Sequence, residues 1–212
     1  MNHIFDFFLD TYTGKASYII ILEAIVFIAG ILSVWFAKKE NIWVYPTGLV
    51  ATIITVYLFF KDGLLGDMIM NFYWSVMSIY GWWNWARRKD SKAIVKISRT
   101  TLREKVIGVG LFLGTMLLNY TVYRIFGYEI APSNYVDIFT SGIFFTAMWY
   151  MATKKLENWT LWIFADIITV PLYAYRGWGM LSLQYVIFTV LAIQGYLAWK
   201  KSLDNTPQPL VK

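Results

Sequence analysis

Two tryptophans, a tyrosine and an acid share one helical stripe in the last third of the chain. In ENWTLWIFADIITVPLY, residues 157–173, Trp159, Trp162, Asp166 and Tyr173 fall at i, i+3, i+7 and i+14, positions that lie on one face of an α-helix. Two indoles, a carboxylate and a phenol then face the same way inside a long apolar run. An acid held within a bilayer costs about 3 kcal/mol on insertion scales and marks a functional site by default, so its partner should be polar or cationic. The competing reading pairs Asp166 with another helix and leaves the tryptophans in the interfacial belt, Trp159 above all, because it adjoins the charged TKKLE turn.

Two further stripes carry polar groups among rings. Gln184 aligns with Phe188, Leu191 and Gly195, and Asn71 aligns with Trp74 and Ser78, with Tyr73 beside them. Each amide serves equally well as a substrate contact or as helix-to-helix glue. Glu23, on one face with Phe27 and Gly30, is a second buried acid, for which a structural tie to a neighbouring helix is the favoured role.

Most enzyme chemistry is excluded. The chain has no cysteine and one histidine, His3, which removes thiol nucleophiles, disulfides and His/Cys metal sites and leaves no basis for a Ser-His-Asp triad. No glycine-rich phosphate loop follows a strand, and no strand is evident. Neither an enzyme nor a bound cofactor or metal is expected.

The elements that carry these stripes follow from composition. Of 212 residues 58% are apolar, 19% aromatic and 15% charged, with mean hydropathy +0.50, whereas a soluble domain carries about a quarter charged residues. This is the composition of an all-α integral membrane protein. Seven apolar stretches long enough to cross about 30 Å of hydrocarbon fall near 18–37, 43–60, 67–86, 106–126, 135–152, 159–175 and 180–199. The loops are short, so residues 1–212 read as one membrane domain. The N-terminal segment MNHIFDFFLDTYTGK reads as an amphipathic interfacial segment rather than a signal peptide.

Loops after spans one, three, five and seven hold 15 Lys and Arg residues and the opposite loops hold 4. Basic residues stay on the cytoplasmic side, so the C-terminus is cytoplasmic and the N-terminus lies outside. The basic segment 86–105 is thereby a lipid-facing topogenic loop, and no nucleic-acid partner is expected.

The chain also repeats itself. AKKENIW at 37–43 resembles TKKLENW at 153–159, and IYGWWNWARRKD at 79–90 resembles IQGYLAWKKSLD at 193–204; Gly81 and Gly195 are 114 residues apart, as are Trp85 and Trp199. Spans one to three (repeat one, about 18–86) recur as spans five to seven (repeat two, about 135–199). A three-span unit ends on the side opposite its start, so span four, the linker helix near 106–126, is the extra crossing that lets the second unit insert in the same orientation. Parallel repeats of this kind are a transporter signature, with the substrate near mid-membrane between them.

LEAIVFIAGILS in span one, IYGWWNW closing span three, ENWTLWIFAD opening span six and SLQYVIFTVLAIQGYLAW in span seven together resemble the PnuC family of vitamin transporters, in order and over nearly the whole chain. The resemblance implies a seven-helix, 3+1+3 fold similar to the SWEET arrangement and a homotrimer. It further implies facilitated diffusion of nicotinamide riboside, trapped by a cytoplasmic kinase and feeding NAD synthesis, or of thiamine or another vitamin in related branches. Nicotinamide riboside is a flat pyridinium cation with a carboxamide and a sugar. Trp159, Trp162 and Tyr173 would offer ring faces worth roughly 0.5–2 kcal/mol each, and Asp166 would meet the polar edge; Asn71, Tyr73, Trp74, Gln184 and Phe188 complete the expected substrate-binding set. Two departures fall on this site, because family members that take nicotinamide riboside often have Asn where this chain has Asp166 and Gln where it has Asn71. An acid suits a cargo with more donors, such as thiamine. Asp166 and Glu23 as a proton relay would instead make the transporter ion-coupled. Pro46 and Pro171 are expected as kinks or hinges, and Gly30, Gly81 and Gly195 as points of close helix approach.

Overall fold

The computed structural model describes residues 8, 12–61, 65–89, 92–125 and 130–205. Most of the N-terminal segment read as interfacial, including His3, lies outside these residues, as do the last residues of the chain. Among the described residues are seven long helices: α1 (Ser17–Lys38), α2 (Val44–Lys61), α3 (Leu65–Ala86), α4 (Leu102–Ile125), α5 (Pro132–Ala152), α6 (Glu157–Tyr175) and α7 (Gly179–Asp204). One helix stands at each expected span, so the chain is all-α. The exception is a hairpin ladder in the basic loop, β1 (Arg88–Lys89) against β2 (Lys92–Ala93), where no strand was expected.

Four of the helices, α1, α2, α4 and α7, are long and apolar enough to cross a membrane on their own. Of the other three, α5 and α6 have protein neighbours over much of their surface, whereas α3 keeps an exposed apolar face of Phe72, Val76, Ile79 and Trp83. α5 is the most enclosed: every residue from Gly142 to Met148 is buried. Long-chain hydropathy is a demand of lipid contact, and such a helix escapes it.

Helix ends follow local chemistry. α4 starts at Leu102, four residues before the expected 106, because Thr101 and Glu104 form a reciprocal cap: the Thr101 amide donates to Glu104 Oε2 at 2.8 Å and the Glu104 amide donates to Thr101 Oγ1 at 3.3 Å. This is the capping box of the TLRE segment, whose charged first turn a hydropathy scan passes over. α1 and α5 end alike. After α1, the Asn41 amide donates to Phe36 O at 2.9 Å and the Glu40 amide to Ala37 O at 3.0 Å; after α5, Lys155 donates to Tyr150 O at 2.8 Å and Lys154 to Met151 O at 3.0 Å. Both are Schellman closures. The left-handed position is held not by glycine but by Glu40 (φ 54°) and Lys154 (φ 53°), at roughly 1–2 kcal/mol each.

Neighbouring helices pack in the order α1, α2, α3, α5, α6, α7, and α7 returns to α1, so six helices form a closed ring. α4 packs on the outside of α5, fastened by Thr146 Oγ1 and Tyr150 Oη donating to the carbonyls of Gly108 and Glu104, each at 3.2 Å.

The prolines and glycines sit differently from the expectation. Pro46 lies in the first turn of α2, where its missing N–H would be unpaired in any case. Pro171 lies inside α6, and Ser182 Oγ of α7 donates to the adjacent Val170 carbonyl at 3.0 Å. Gly81 and Gly195 admit rings rather than a helix backbone: a Cβ on Gly81 would stand 2.3 Å from Tyr45 Cε1, and one on Gly195 2.6 Å from Trp159 Cζ2. At Gly30 the space is taken by Gln184 and Phe188.

Candidate functional site

The interior of the ring divides into two aromatic layers. The first is built on α6 around Asp166, which is 1% exposed. Its Oδ1 has no hydrogen-bond partner among the described residues, and it takes part in no ion pair there. Around it α3 supplies Trp74, α5 supplies Phe144, α6 supplies Trp162 and Tyr173, and α7 supplies Tyr185 and Phe188. Phe144 is the hub, with ring centroids 6.3 Å from Trp74, 5.3 Å from Trp162 and 5.9 Å from Tyr185. Tyr185 in turn meets Tyr173 edge-on at 5.2 Å and Phe188 at 5.6 Å, and it lies within electrostatic reach of Asp166. Trp74 Nε1 is buried and also without an acceptor. A carboxylate oxygen and an indole N–H left unpaired in a buried aromatic cluster each cost about 1–3 kcal/mol. A flat ligand whose polar edge carries a donor for the carboxylate oxygen and an acceptor for the indole N–H relieves both.

The structure thus places Trp162, Asp166, Tyr173, Trp74 and Phe188 in one layer. Gln184 borders them: its side-chain amide donates to Phe27 O at 3.3 Å, which ties α7 to α1. Asn71 is buried beside Ser75, whose Oγ lies 3.0 Å from the Asn71 carbonyl and 2.8 Å from Thr52 Oγ1. Tyr73 is committed elsewhere. Its ring stacks on Phe145 at 3.7 Å, nearly parallel, and its hydroxyl lies 3.4 Å from the Phe145 carbonyl, which makes it part of the α3–α5 seam.

Phe144 and Tyr185 were not singled out from the sequence. For Tyr185 a signal existed, because it is 114 residues from Asn71, just as Phe188 is from Trp74. For Phe144 the signal was a stripe of α5 on which it follows Ser133, Asp137 and Thr140 at i, i+4, i+7 and i+11.

Trp159 belongs to the second layer, toward the end of the bundle where α1, α3, α5 and α7 finish. It is 1% exposed, packed over Gly195 and edge-on to Trp199 at 5.4 Å. Tyr45 occupies the matching place over Gly81, edge-on to Trp85 at 5.2 Å. Tyr45 Oη and Trp159 Nε1 are both buried and have no hydrogen-bond partner among the described residues. Trp85 and Trp199 face each other at 6.0 Å. Trp85 Nε1 donates to Met151 O at 3.2 Å, and Trp199 Nε1 donates to Ala37 O at 3.1 Å. Tyr45 and Trp159, Trp85 and Trp199, Ala37 and Met151, Glu40 and Lys154 are each 114 residues apart.

Glu23 is not a buried acid. Its side chain is 26% exposed and pairs with Lys15 at 2.7 Å, so its tie runs to the segment before α1 and not to a neighbouring helix. On the same side of the bundle Arg176, at the end of α6, pairs with Asp137 of α5.

Comparison with known proteins places the whole chain. The profile of a family described as nicotinamide mononucleotide transporter matches residues 20–201. The nicotinamide riboside transporter PnuC of Escherichia coli (strain K12) is 26% identical over 204 residues, covering 85% of each chain. The riboflavin/roseoflavin transporter RibM of Streptomyces davaonensis is 23% identical over 187 residues, again covering 85% of each chain. The crystal structure of the vitamin B3 transporter PnuC superimposes with a TM-score of 0.68 at 24% identity, covering 88% of this chain and 83% of that one, a likeness of fold.

Proposed function

The chain belongs to the nicotinamide mononucleotide transporter family, a family of transporters and not of enzymes, and we propose that its cargo is nicotinamide riboside, carried across the inner membrane by facilitated diffusion. The observation that carries the proposal is the unpartnered, buried Oδ1 of Asp166 inside the cluster of Trp74, Phe144, Trp162, Tyr173, Tyr185 and Phe188. A pyridinium between these rings gains cation–π and stacking energy, and its carboxamide N–H groups find an acceptor in the carboxylate. The wider substrate-binding set is Trp159, Trp162, Asp166, Tyr173, Asn71, Tyr73, Trp74, Gln184 and Phe188, with Trp159 in the second layer and Tyr73 at the helix seam.

The proposed architecture is a single membrane domain of 3+1+3 helices in parallel repeats, similar to the SWEET arrangement. The second layer supports it, since the ring contacts of Tyr45 with Trp85 and of Trp159 with Trp199, and the indole hydrogen bonds of Trp85 and Trp199, are counterparts 114 residues apart. The proposed orientation, N-terminus periplasmic and C-terminus cytoplasmic, rests on the bias of basic residues between loops. A homotrimer, and trapping of the cargo by a cytoplasmic kinase that supplies NAD synthesis, rest on the family resemblance.

Thiamine is the second reading, and Asp166 favours it. An acid accepts from an aminopyrimidine at least as well as from a carboxamide, and the rings serve a thiazolium as well as a pyridinium. Proton-coupled transport ranks lower: Glu23, the partner such a relay would need, is occupied by Lys15.

The test is exchange in proteoliposomes. Labelled nicotinamide riboside should equilibrate in both directions without ATP and follow its own gradient alone. Accumulation against that gradient under an imposed proton or sodium gradient overturns facilitated diffusion.

A further inference from the structure

We infer that Glu40 and Lys154 form the closing pair of a gate at the basic end of the bundle, acting with Trp85 and Trp199 to seal the route between the Asp166 layer and that face. The inference rests on transporter membership and not on which vitamin is carried.

Three inter-repeat bonds meet at this end. Trp85 of α3 donates to the last turn of α5, Trp199 of α7 donates to the last turn of α1, and Lys154 Nζ meets Glu40 Oε1 at 2.6 Å. The Lys154 ammonium also lies 4.5 Å over the Trp85 ring, so ion pair and indole plug form one unit. The first two bonds exchange with each other under the 114-residue offset, and the third maps onto itself. An ion pair between equivalent positions lies where two repeats must part if they rock against one another.

The backbone argues for a role beyond packing. Both residues occupy left-handed helix closures, φ 54° and 53°, where glycine is conformationally cheapest. The chain accepts the strain at both sites and uses the two side chains on each other. Strain of this kind concentrates at switch regions.

The two partners are unequally buried, with side-chain exposure of 6% for Lys154 and 37% for Glu40. The ammonium stays inside against Trp85, while the carboxylate reaches it from the water side and can withdraw into solvent. Space exists for that movement. A cavity of about 570 Å³ opens at this end, lined by Lys39, Glu40, Trp85, Arg88 and Lys154 among others. It is a vestibule whose inner wall is the closing pair and the plug.

The chain has no cysteine, so a single Ser78→Cys reporter can be read without background. Ser78 is buried on α3, on the Asp166 side of Trp85. Membrane vesicles of both orientations are treated with an impermeant maleimide, and a separate Lys89→Cys chain identifies the basic face. Labelling of Ser78→Cys from that face should be slow with the parent gate. It should be at least about tenfold faster with Glu40→Gln or Lys154→Gln, and slow again in the exchanged pair Glu40→Lys with Lys154→Glu. Trp85→Phe and Trp199→Phe keep one ring but lose the donor and part of the indole's bulk, and each should also quicken labelling; they carry the test if a charge variant fails to fold. Unchanged rates in the folded variants, an exchanged pair as fast as the single variants, or a gain confined to the opposite face overturn the gate. None of these readings needs a substrate, so the gate and the cargo assignment fail independently.

Discussion

Asp166 is the residue on which the proposed cargo choice turns. It is fully buried, its Oδ1 lacks a partner, and rings from both halves of the chain surround it. Trp162→Ala removes a stacking face from this cluster and should weaken binding of nicotinamide riboside by at least about 1 kcal/mol, close to sixfold in Kd. Asp166→Asn keeps the size and exchanges a charged acceptor for a neutral donor and acceptor, so it should change the ratio of affinities for nicotinamide riboside and thiamine. Calorimetric titration of the purified protein with each vitamin measures both. If both variants bind both vitamins as the parent does, while Asp166→Asn changes only the melting temperature, the carboxylate has a structural role and the site assignment is wrong.

Among the elements, the ends and crossings of helices decide how the two layers are held. Tyr45 of α2 lies over Gly81 of α3, and Trp159 of α6 lies over Gly195 of α7, with no room for a Cβ at either glycine. Gly81→Ala and Gly195→Ala should therefore each destabilise the protein by about 1–3 kcal/mol, despite the better helix propensity of alanine. The two melting temperatures should fall by similar amounts, because the contacts are equivalent under the repeat. A neutral result at one glycine beside a large loss at the other would break that equivalence. The linker helix α4 packs chiefly on α5. Its capping box and the pairing of Lys155 with Glu104 at 2.7 Å tie its start to the turn that carries Lys154.

At the scale of the whole molecule, the six-helix ring with one helix outside it accounts for how a chain with so few charges arranges two stacked aromatic layers. The basic residues of the loops collect at the end where the proposed gate lies. A reporter placed between Arg88 and Arg103 should accordingly read cytoplasmic, as should a reporter at the C-terminus. A periplasmic reading at either place would reverse the orientation and put the gate on the outer face.

Seven helices were legible from composition and span length: lipid contact imposes hydropathy over about 20 residues, a demand four of the helices meet in full, while the other three showed as long segments with few charges. The family was legible from four segments in order, and Asp166 from the cost of an acid in an apolar helix. The proposed repeat rests on the offset of Gly81 from Gly195 and of Trp85 from Trp199, since equivalent packing needs equivalent residue types. What periodicity could not decide was depth along the helix and the identity of neighbours. Trp159 and Trp162 share a stripe, yet one turn of α6 separates the layer around Trp199 from the layer around Phe144. Phe144 and Tyr185 entered the site only when α5 and α7 were packed against α6. Glu23 lost its buried role to Lys15, and Glu40 and Lys154, unremarkable charges in two short turns, became partners only across the ring. A single stripe records which residues face inward. Which residue of another helix stands opposite is set by the crossing of helices, and no local pattern contains that.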